Sequence, residues 1–270
     1  MPRQYSSRGG RARGGNNSST VNESIASNGT GPLSNASKFS PNLIDGLKLW
    51  IDAADRTTIN AGNPSGGDIV NRITSKDIKK TQCDTSGTTI TYRDGQLNSN
   101  GVLFAAGDFI RAVIGTTVTS HSVFLVVYID SITAIGFGAI YGGINAGGDM
   151  TIGLNDDGAG NVNTAIFQDG SAIVVSTQNL PRDSWTRLYT TVLKGSGETT
   201  ANIWNEGALR NSGSTSTPLT LSTNPAMVFS SDAAYTATTG QLAELIVYSK
   251  FLTPKEVGLV DTYLKAKWGL

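Results

Sequence analysis

The chain has 270 residues, of which 38% are hydrophobic and 16% charged, and its 21 basic residues balance 21 acidic ones. No apolar run approaches the roughly 20 residues of a membrane-spanning helix. The N-terminus lacks the apolar stretch of a signal peptide, so we expect no Sec-type secretion. One cysteine, Cys83, excludes an internal disulfide framework. One cysteine and one histidine also exclude a zinc site with several such ligands.

Residues 1–40 form a segment that is rich in Arg, Gly, Ser and Asn and poor in large apolar side chains. Its five basic residues and one acid, Glu23, give a net charge of +4, so residues 41–270 carry 16 basic and 20 acidic groups, or −4. Such a segment buries too little apolar surface to fold alone. We predict a flexible basic arm whose arginines contact a partner protein or, without sequence specificity, nucleic acid phosphates. These arginines are Arg3, Arg8, Arg11 and Arg13. A solvated tail without a partner is the alternative.

The remaining residues, 41–270, show short apolar and β-branched runs separated by turn residues. Near the start, Leu47, Leu49 and Ile51 alternate along one strand face, with Trp50 on the other. The run SHSVFLVVYID, at 120–130, is apolar enough for a central strand buried on both faces. We count at least a dozen candidate strands, which predicts an all-β, two-sheet jelly-roll sandwich.

The last segment, 240–270, reads as a buried strand followed by a short amphipathic helix. Thr253 and Glu256 have the spacing of a capping box, and Pro254 suits the first helical position. Apolar side chains then recur at helical spacing and predict one buried stripe. The stripe consists of Val257, Val260, Leu264 and Trp268.

Four segments, in order, resemble the laminin-G-like branch of the concanavalin A-like jelly rolls. They are GLKLWIDAADRTTI, GVLFAAGDFIRAVI, DSWTRLYTTVLKGSGETTANIWNEGALRNSG and GQLAELIVYSKFLTPKEVGLVDTYLKAKWGL. The resemblance covers about residues 46–270 and implies two stacked antiparallel sheets. Such sandwiches serve as lectins, adhesion modules, glycanases and virion proteins, so the resemblance does not fix the function.

Enzyme chemistry finds little support in the sequence. The only histidine, His121, lies at the start of a predicted core strand, where a structural role is the simpler reading. Retaining glycanases of this fold group carry their carboxylates as E-x-D-x-x-E, and none of the five glutamates stands in that pattern. Glu256 is assigned to the helix cap and Glu244 to a structural pair of the family. We therefore expect no catalytic residues.

Two kinds of binding site remain open. Tyr141, Trp204 and Asn205 are candidates for glycan contacts, because glycan sites combine aromatic rings with amides. Each of the three also has a plain structural reading. Asp149, Asp156 and Asp157 could supply oxygen ligands to Ca²⁺, although Asn, Asp and Gly are also ordinary turn residues. No other cofactor is expected.

The sequence thus predicts a non-catalytic virion structural protein, serving as a capsid, decoration or attachment component and anchored by its arm. Its expected partners are neighbouring capsid or virion subunits, with self-association into a homo-oligomer. The first alternative is a glycan-binding module of a cell-surface or exported protein, and a glycoside hydrolase ranks behind both. Residues 1–40 and 41–270 are the predicted arm and jelly-roll domain.

Overall fold

A computed structural model describes residues 39–60, 62, 64–85, 90–106, 110–112, 114, 117–132, 137–142, 150–156, 162–168, 171–180, 183–221, 226–228 and 238–270. Residues 1–38, with the four arm arginines, lie outside this set, so the arm remains a prediction. The described residues form sixteen β-strands, two short 3-10 turns and one α-helix. The helix is too short to be a candidate membrane span.

The strands follow one another along the chain with short connections. They are β1 (Leu47–Asp52), β2 (Arg72–Thr74), β3 (Gln82–Thr85), β4 (Thr91–Leu97), β5 (Asn100–Ala106), β6 (Ile110–Ala112), β7 (His121–Ile132), β8 (Phe137–Gly142), β9 (Met150–Asp156), β10 (Val162–Gln168), β11 (Ser171–Asn179), β12 (Trp185–Lys194), β13 (Thr199–Asn205), β14 (Ala208–Thr215), β15 (Ala226–Val228) and β16 (Thr238–Tyr248). The helix α1 spans Pro254–Trp268, and the 3-10 turns span Pro41–Leu43 and Arg56–Thr58.

Two antiparallel sheets of eight strands each make up the domain. Sheet A has the order β14-β13-β12-β7-β16-β5-β4, and β1 also pairs with β16. Sheet B has the order β11-β10-β9-β8-β15-β6-β3-β2. Side chains from both sheets form one buried apolar cluster, which places the main core between them. This arrangement confirms the predicted two-sheet sandwich.

Strand β16 is the central strand of sheet A. Its first half, Thr239 to Leu242, pairs with β5, whereas Glu244 to Tyr248 pairs with β1 on the same edge. Its other edge pairs with β7 along its length. Every residue from Gly240 to Tyr248 is buried, because sheet B covers one face and α1 covers much of the other.

Helix α1 begins and ends where the sequence predicted. The side chain of Thr253 accepts a hydrogen bond from the backbone N–H of Glu256, and the Glu256 carboxylate accepts one from the N–H of Thr253. Gly269, with φ of +71°, ends the helix in the left-handed region that favours glycine. The predicted apolar stripe is buried as a whole and packs on the outer face of sheet A. A buried Leu or Val side chain contributes about 1.5–3 kcal/mol to stability.

Polar contacts also attach α1 to sheet A. The buried guanidinium of Arg187 in β12 donates to Asp261 of the helix over 2.9 Å. Tyr189, two residues further along the same face, donates its hydroxyl to the same carboxylate. Glu206 pairs with Arg187 at 3.2 Å from the turn between β13 and β14. The helix therefore sits in one fixed register on the sheet.

Candidate functional site

Beyond the area that α1 covers, four side chains form a line across the outer face of sheet A. Trp185 of β12 lies opposite Tyr128 of β7, Tyr128 lies opposite Gln241 of β16, and Gln241 lies opposite Phe104 of β5. Opposite residues of neighbouring strands share a face of the sheet. We call these four residues the aromatic row. With three strand spacings between its ends, it is about 14 Å wide.

The row lies close to one end of sheet A. Strands β12 and β16 begin here, and β5 and β7 end a few residues beyond Phe104 and Tyr128. Leu103, Val127 and Leu242 are adjacent to members of the row in the sequence. Their side chains point to the opposite face of sheet A and belong to the core between the sheets. The strict alternation of a β-strand therefore forces the row outward. A rigid scaffold holds it at the strand ends, where binding residues are commonly found.

The three rings of the row are partly exposed, and those of Tyr128 and Trp185 are in contact. The centroids of Tyr128 and Trp185 are 5.7 Å apart, with a 57° angle between the rings. On the far side of Gln241, the guanidinium of Arg93 lies 3.5 Å from the centroid of Phe104. Aromatic rings that are partly open to solvent offer a ligand apolar area together with polar groups at their edges. The row has this character from end to end.

Gln241, in the middle of the row, has an amide without a complete set of partners. Its side chain is only 8% exposed, and its Oε1 atom is buried with no hydrogen-bond partner in the described part of the chain. Leaving a buried acceptor unsatisfied costs about 1–3 kcal/mol. This amide separates the rings of Tyr128 and Phe104 without presenting its acceptor to solvent.

Two carboxylates and one guanidinium lie next to the row. Asp130 lies two residues beyond Tyr128 in β7, and Asp183 lies two residues before Trp185, so both acids are at the same end of this pair. Partial burial and the negative charge of Asp183 raise the pKa of Asp130, while Arg93 opposes them. Burial, followed by the charges of Asp183 and Asp130, raises the pKa of the Tyr128 phenol. Both carboxylates therefore act electrostatically at the row.

The structure does not bring together the three predicted glycan contacts. Tyr141 lies in β8 of sheet B with no exposed side chain, among the residues of the core between the sheets. Asn205 is 1% exposed and accepts a hydrogen bond from the Thr186 hydroxyl at 2.9 Å. Burial removes both side chains from direct contact with a ligand, because neither presents a surface to solvent. Both predictions are therefore corrected in favour of structural roles.

Trp204 alone of the three faces outward and is partly exposed. It lies in β13, on the same outer face of sheet A as the aromatic row, and its Nε1 donates to the Thr191 hydroxyl over 3.4 Å. Since Trp204 and Asn205 are consecutive in a strand, they point to opposite faces. Trp204 remains a second candidate for a ligand contact, separate from Asn205.

The predicted calcium ligands are tested only in small part. Asp149 and Asp157 lie outside the described residues, and Asp156 is the last residue of β9. No group of three His, Cys, Asp or Glu side chains suited to a metal occurs among the residues that are described. The calcium site thus stays a prediction.

A pair of carboxylates with glycosidase-like spacing exists, but it lies beneath α1. Asp52 and Glu244 bind the same ammonium, that of Lys267, at 2.5 and 2.7 Å, so the two groups are within about 5 Å of each other. The Glu244 side chain has no exposed area. It accepts further hydrogen bonds from Trp50, Tyr263 and Trp268 at 2.6, 2.9 and 2.7 Å. No substrate can reach either oxygen of Glu244, and the pair is structural.

The histidine and the cysteine are equally unsuited to nucleophilic chemistry. His121 is fully buried, its Nε2 lies 3.3 Å from the sulfur of Met150, and burial lowers its pKa to about 3. Cys83 is also fully buried, and burial raises its thiol pKa to about 12. A thiol with so high a pKa is not ionised at neutral pH. The expected structural role of His121 therefore fits its surroundings.

A protein-family model matches this chain. The family model described as the concanavalin A-like lectin/glucanases superfamily, of the laminin-G type, matches residues 116–258, just over half of the chain. The chain belongs to this superfamily. The name of the superfamily covers both lectins and glucanases, so membership does not decide between binding and hydrolysis. A search of curated protein sequences found no match.

Solved structures with a similar fold include several from proteins that act on or bind other molecules. Domain 4 of AbnA, an extracellular GH43 arabinanase from Geobacillus stearothermophilus in complex with arabinotriose, has a TM-score of 0.53 and 20% identity, over 79% of this chain and 97% of that one. The binding domain of Paraclostridial Mosquitocidal Protein 1 has a TM-score of 0.55 and 12% identity, over 80% and 52%. A Trypanosoma rangeli sialidase in complex with the inhibitor DANA has a TM-score of 0.55 and 10% identity, over 86% and 35%. At these identities the likeness concerns the fold alone.

Sequence reasoning did not find the aromatic row. Phe104, Tyr128 and Trp185 each stand in a segment that was correctly read as a strand, and alternation could have assigned each one to a face. Their alignment depends on the register of four strands that are up to 137 residues apart in the chain, from Phe104 to Gln241. The hydrophobic pattern of one strand shows which face is buried. Which residues lie opposite one another depends on how the strands pair in the folded sheet.

Proposed function

We propose that this superfamily member is a non-catalytic carbohydrate-binding module that holds a glycan against the aromatic row. The observation that carries the proposal is the row itself, with its partly exposed rings on both sides of a buried amide that lacks a partner. Sugar rings have apolar C–H faces and polar edges, so they suit a site of aromatic surfaces with a few fixed polar groups.

Each member of the row has a distinct part in this model. Trp185 and Tyr128 provide adjoining ring faces for one sugar unit, and Phe104 provides a second face on the other side of Gln241. Gln241 lies between these ring surfaces, and its buried Oε1 atom is out of reach of a sugar hydroxyl. Carboxylate oxygens at Asp130 and Asp183 accept further hydroxyl protons at the edges. Domain 4 of the arabinanase, which shares the fold, holds arabinotriose in its own structure.

The non-catalytic part of the proposal is supported by the position of the carboxylates. Asp52 and Glu244 have the separation that hydrolysis would require, but both are bound by Lys267 of the helix, and Asp52 also pairs with Lys76. Asp130 and Asp183, near the row, belong to a binding surface and not to an enclosed cleft between an acid and a nucleophile. Binding without bond cleavage is the outcome that these positions favour.

A glycan array followed by titration of the best ligand tests the proposal. We expect Trp185→Ala and Tyr128→Ala each to weaken binding about tenfold or more, because truncated aromatic anchors typically cost above 1–2 kcal/mol. Trp204→Ala is the matched control, since it removes a partly exposed indole from the same face at another place. Equal thermal unfolding of the variants would exclude misfolding as the cause.

Three results would contradict the proposal or one part of it. A blank array would remove carbohydrate binding altogether. Loss of binding in Trp204→Ala with full binding in Tyr128→Ala would move the site to strand β13, where the sequence had predicted a contact at Trp204. Release of reducing sugar from the bound glycan would contradict the non-catalytic part alone.

We also propose, as a second function, that the module is part of a virion and is attached through its basic arm. The supporting observation is the charge asymmetry of +4 over residues 1–40 against −4 over the rest of the chain. Opposite charges favour contacts between the arm and acidic surfaces of neighbouring subunits, or between the arm and nucleic acid. A glycan-binding head and an anchoring arm are compatible roles, since a decoration or attachment protein needs both.

Deletion of residues 1–40 tests the second function. We expect the shortened protein to keep its β-sheet circular dichroism and its glycan binding but to fail to enter particles. Normal incorporation of the shortened protein would refute the anchoring role, and the carbohydrate-binding proposal would be unaffected.

A further inference from the structure

We propose that the aromatic row selects neutral and cationic glycans and rejects acidic ones, and that Asp130 and Asp183 set this selection. The inference rests on the proposed carbohydrate-binding function and specifies the class of glycan. It concerns two residues that sequence reasoning did not single out.

The two carboxylates lie close to the rings of Tyr128 and Trp185. Asp130 follows Tyr128 by two residues in β7, and its carboxylate is close enough to interact electrostatically with the Tyr128 phenol and the Arg93 guanidinium. Asp183 is exposed and precedes Trp185 by two residues. The two acids thus lie beside each other at one end of the Tyr128–Trp185 pair, because the two chain segments run antiparallel and both acids are two residues from the paired rings.

Negative charge exceeds positive charge at one side of the row. Arg93 is the guanidinium that counters the acids, and it is held against Phe104 at 3.5 Å on the opposite side of Gln241. Arg187, two residues beyond Trp185 in β12, is bound to Asp261 and Glu206, and Lys267 of α1 is bound to Asp52 and Glu244. The Tyr128–Trp185 side of the row therefore carries an excess of negative charge.

This negative charge should change the affinity for neutral, cationic and acidic sugars in different ways. A neutral sugar donates hydroxyl protons to the two carboxylates and gains charge-assisted hydrogen bonds. An ammonium group of an amino sugar gains attraction from the acids and from the faces of the rings. A uronate or sialic acid carboxylate at the same place meets two like charges. At a separation of about 4 Å in water, each like charge lowers affinity about fivefold.

The test is a glycan array that contains neutral glycans beside their uronated, sialylated and de-N-acetylated counterparts. It compares the wild type with the double variant Asp130→Asn/Asp183→Asn. We expect the wild type to bind neutral and amino-sugar glycans and to bind acidic counterparts at least fivefold more weakly. The double variant should lose this difference by gaining affinity for the acidic glycans.

A second double variant, Asp45→Asn/Asp84→Asn, removes the same charge from exposed positions outside the row. It should keep the wild-type selection, which separates a local effect of the row from the net charge of the protein. Equal unfolding midpoints of the three proteins show that all are folded.

The array results can overturn the proposed selection with or without overturning carbohydrate binding itself. Equal or stronger wild-type binding of acidic glycans, or unchanged selection in Asp130→Asn/Asp183→Asn, would overturn this inference while leaving carbohydrate binding intact. The same shift in Asp45→Asn/Asp84→Asn would also overturn it, since net charge would then explain the selection. A blank array would overturn the proposed function and this inference together.

Discussion

The indole N–H of Trp268, near the end of helix α1, donates a 2.7 Å hydrogen bond to the fully buried carboxylate of Glu244 in the central strand of sheet A. The same carboxylate binds Lys267 of the helix at 2.7 Å and the indole of Trp50 in β1 at 2.6 Å. One side chain thus joins the central strand, its neighbour β1 and the helix. The stability of the domain should depend strongly on it.

Glu244→Gln should lower the free energy of unfolding by about 2–4 kcal/mol. Lys267 would keep Asp52, but the ion pair with residue 244 is lost and the amide N–H₂ group would face buried donors of Trp50, Tyr263 or Trp268. Urea unfolding measures the change. Glu198→Gln, at an exposed position between β12 and β13, is the control and should stay within about 0.5 kcal/mol of the wild type. Similar stability of the two variants would show that the Glu244 network contributes little.

His121 should make the protein less stable as the pH falls. Burial lowers its pKa to about 3 in the folded state, while an unfolded histidine titrates at about 6.5. Between these values the unfolded chain binds a proton that the folded chain does not, so unfolding becomes more favourable as pH decreases from about 6.5 towards 3. The slope is about 1.4 kcal/mol per pH unit.

The variant His121→Leu isolates this contribution. Its free energy of unfolding should fall less steeply between pH 6 and 4, by about 1.4 kcal/mol per pH unit relative to the wild type. Urea titrations at three pH values provide both slopes. Parallel slopes would mean that His121 takes up its proton in the folded state, contrary to its buried position.

Gly101→Ala should be strongly destabilising. A Cβ atom at this position in β5 would overlap the phenol of Tyr92 in the paired strand β4, and Tyr92 is fully buried and cannot move away. Overpacking of this kind costs about 1–3 kcal/mol or more. Gly197→Ala, where a Cβ would meet no atom within 4 Å, is the control. Thermal unfolding of both should separate them by several degrees, and equal midpoints would contradict the steric argument.

Gln241→Met should stabilise the protein and leave glycan binding unchanged, since the buried Oε1 atom does not reach the surface. Methionine has a similar volume and removes the acceptor that is buried without a described partner, which is worth about 1 kcal/mol or about 2–4 °C in the unfolding midpoint. Gln96→Met, at an exposed position in β4, should change neither property. A destabilised Gln241→Met would mean that the amide is fully paired without a ligand.

The parts of the fold that local sequence signals specify were predictable. The Thr253–Glu256 capping box and the apolar stripe of α1 fix the helix within its own residues, and alternation placed Trp50 opposite Leu49 and Ile51. The Glu244 network was not predictable, because Trp50 and Glu244 are 194 residues apart and meet only through the pairing of β1 with β16. The sequence did indicate correctly that Glu244 belongs to a structural pair.

The predicted glycan contacts also depended on information that a single segment of sequence does not contain. Tyr141 and Asn205 were chosen by residue type, and residue type does not reveal whether a side chain points into the core. Trp204 and Asn205 are consecutive in β13, so a strand places them on opposite faces. The aromatic row combines residues from four strands, and its assembly depends on register that no single segment contains.

The pairing of β16 has a consequence for how the domain is attached. The hydroxyl of Tyr248, at one end of this strand, donates to the carbonyl of Pro41 over 2.9 Å, and Phe39 packs against Tyr263 of α1. Gln241, the centre of the aromatic row, is seven residues back along the same strand, which is about 23 Å away. Pro41 therefore lies near the end of β16 that is far from the row. If residues 1–40 anchor the domain and the row binds a glycan, as proposed, most of the length of this strand separates Pro41 from the bound glycan.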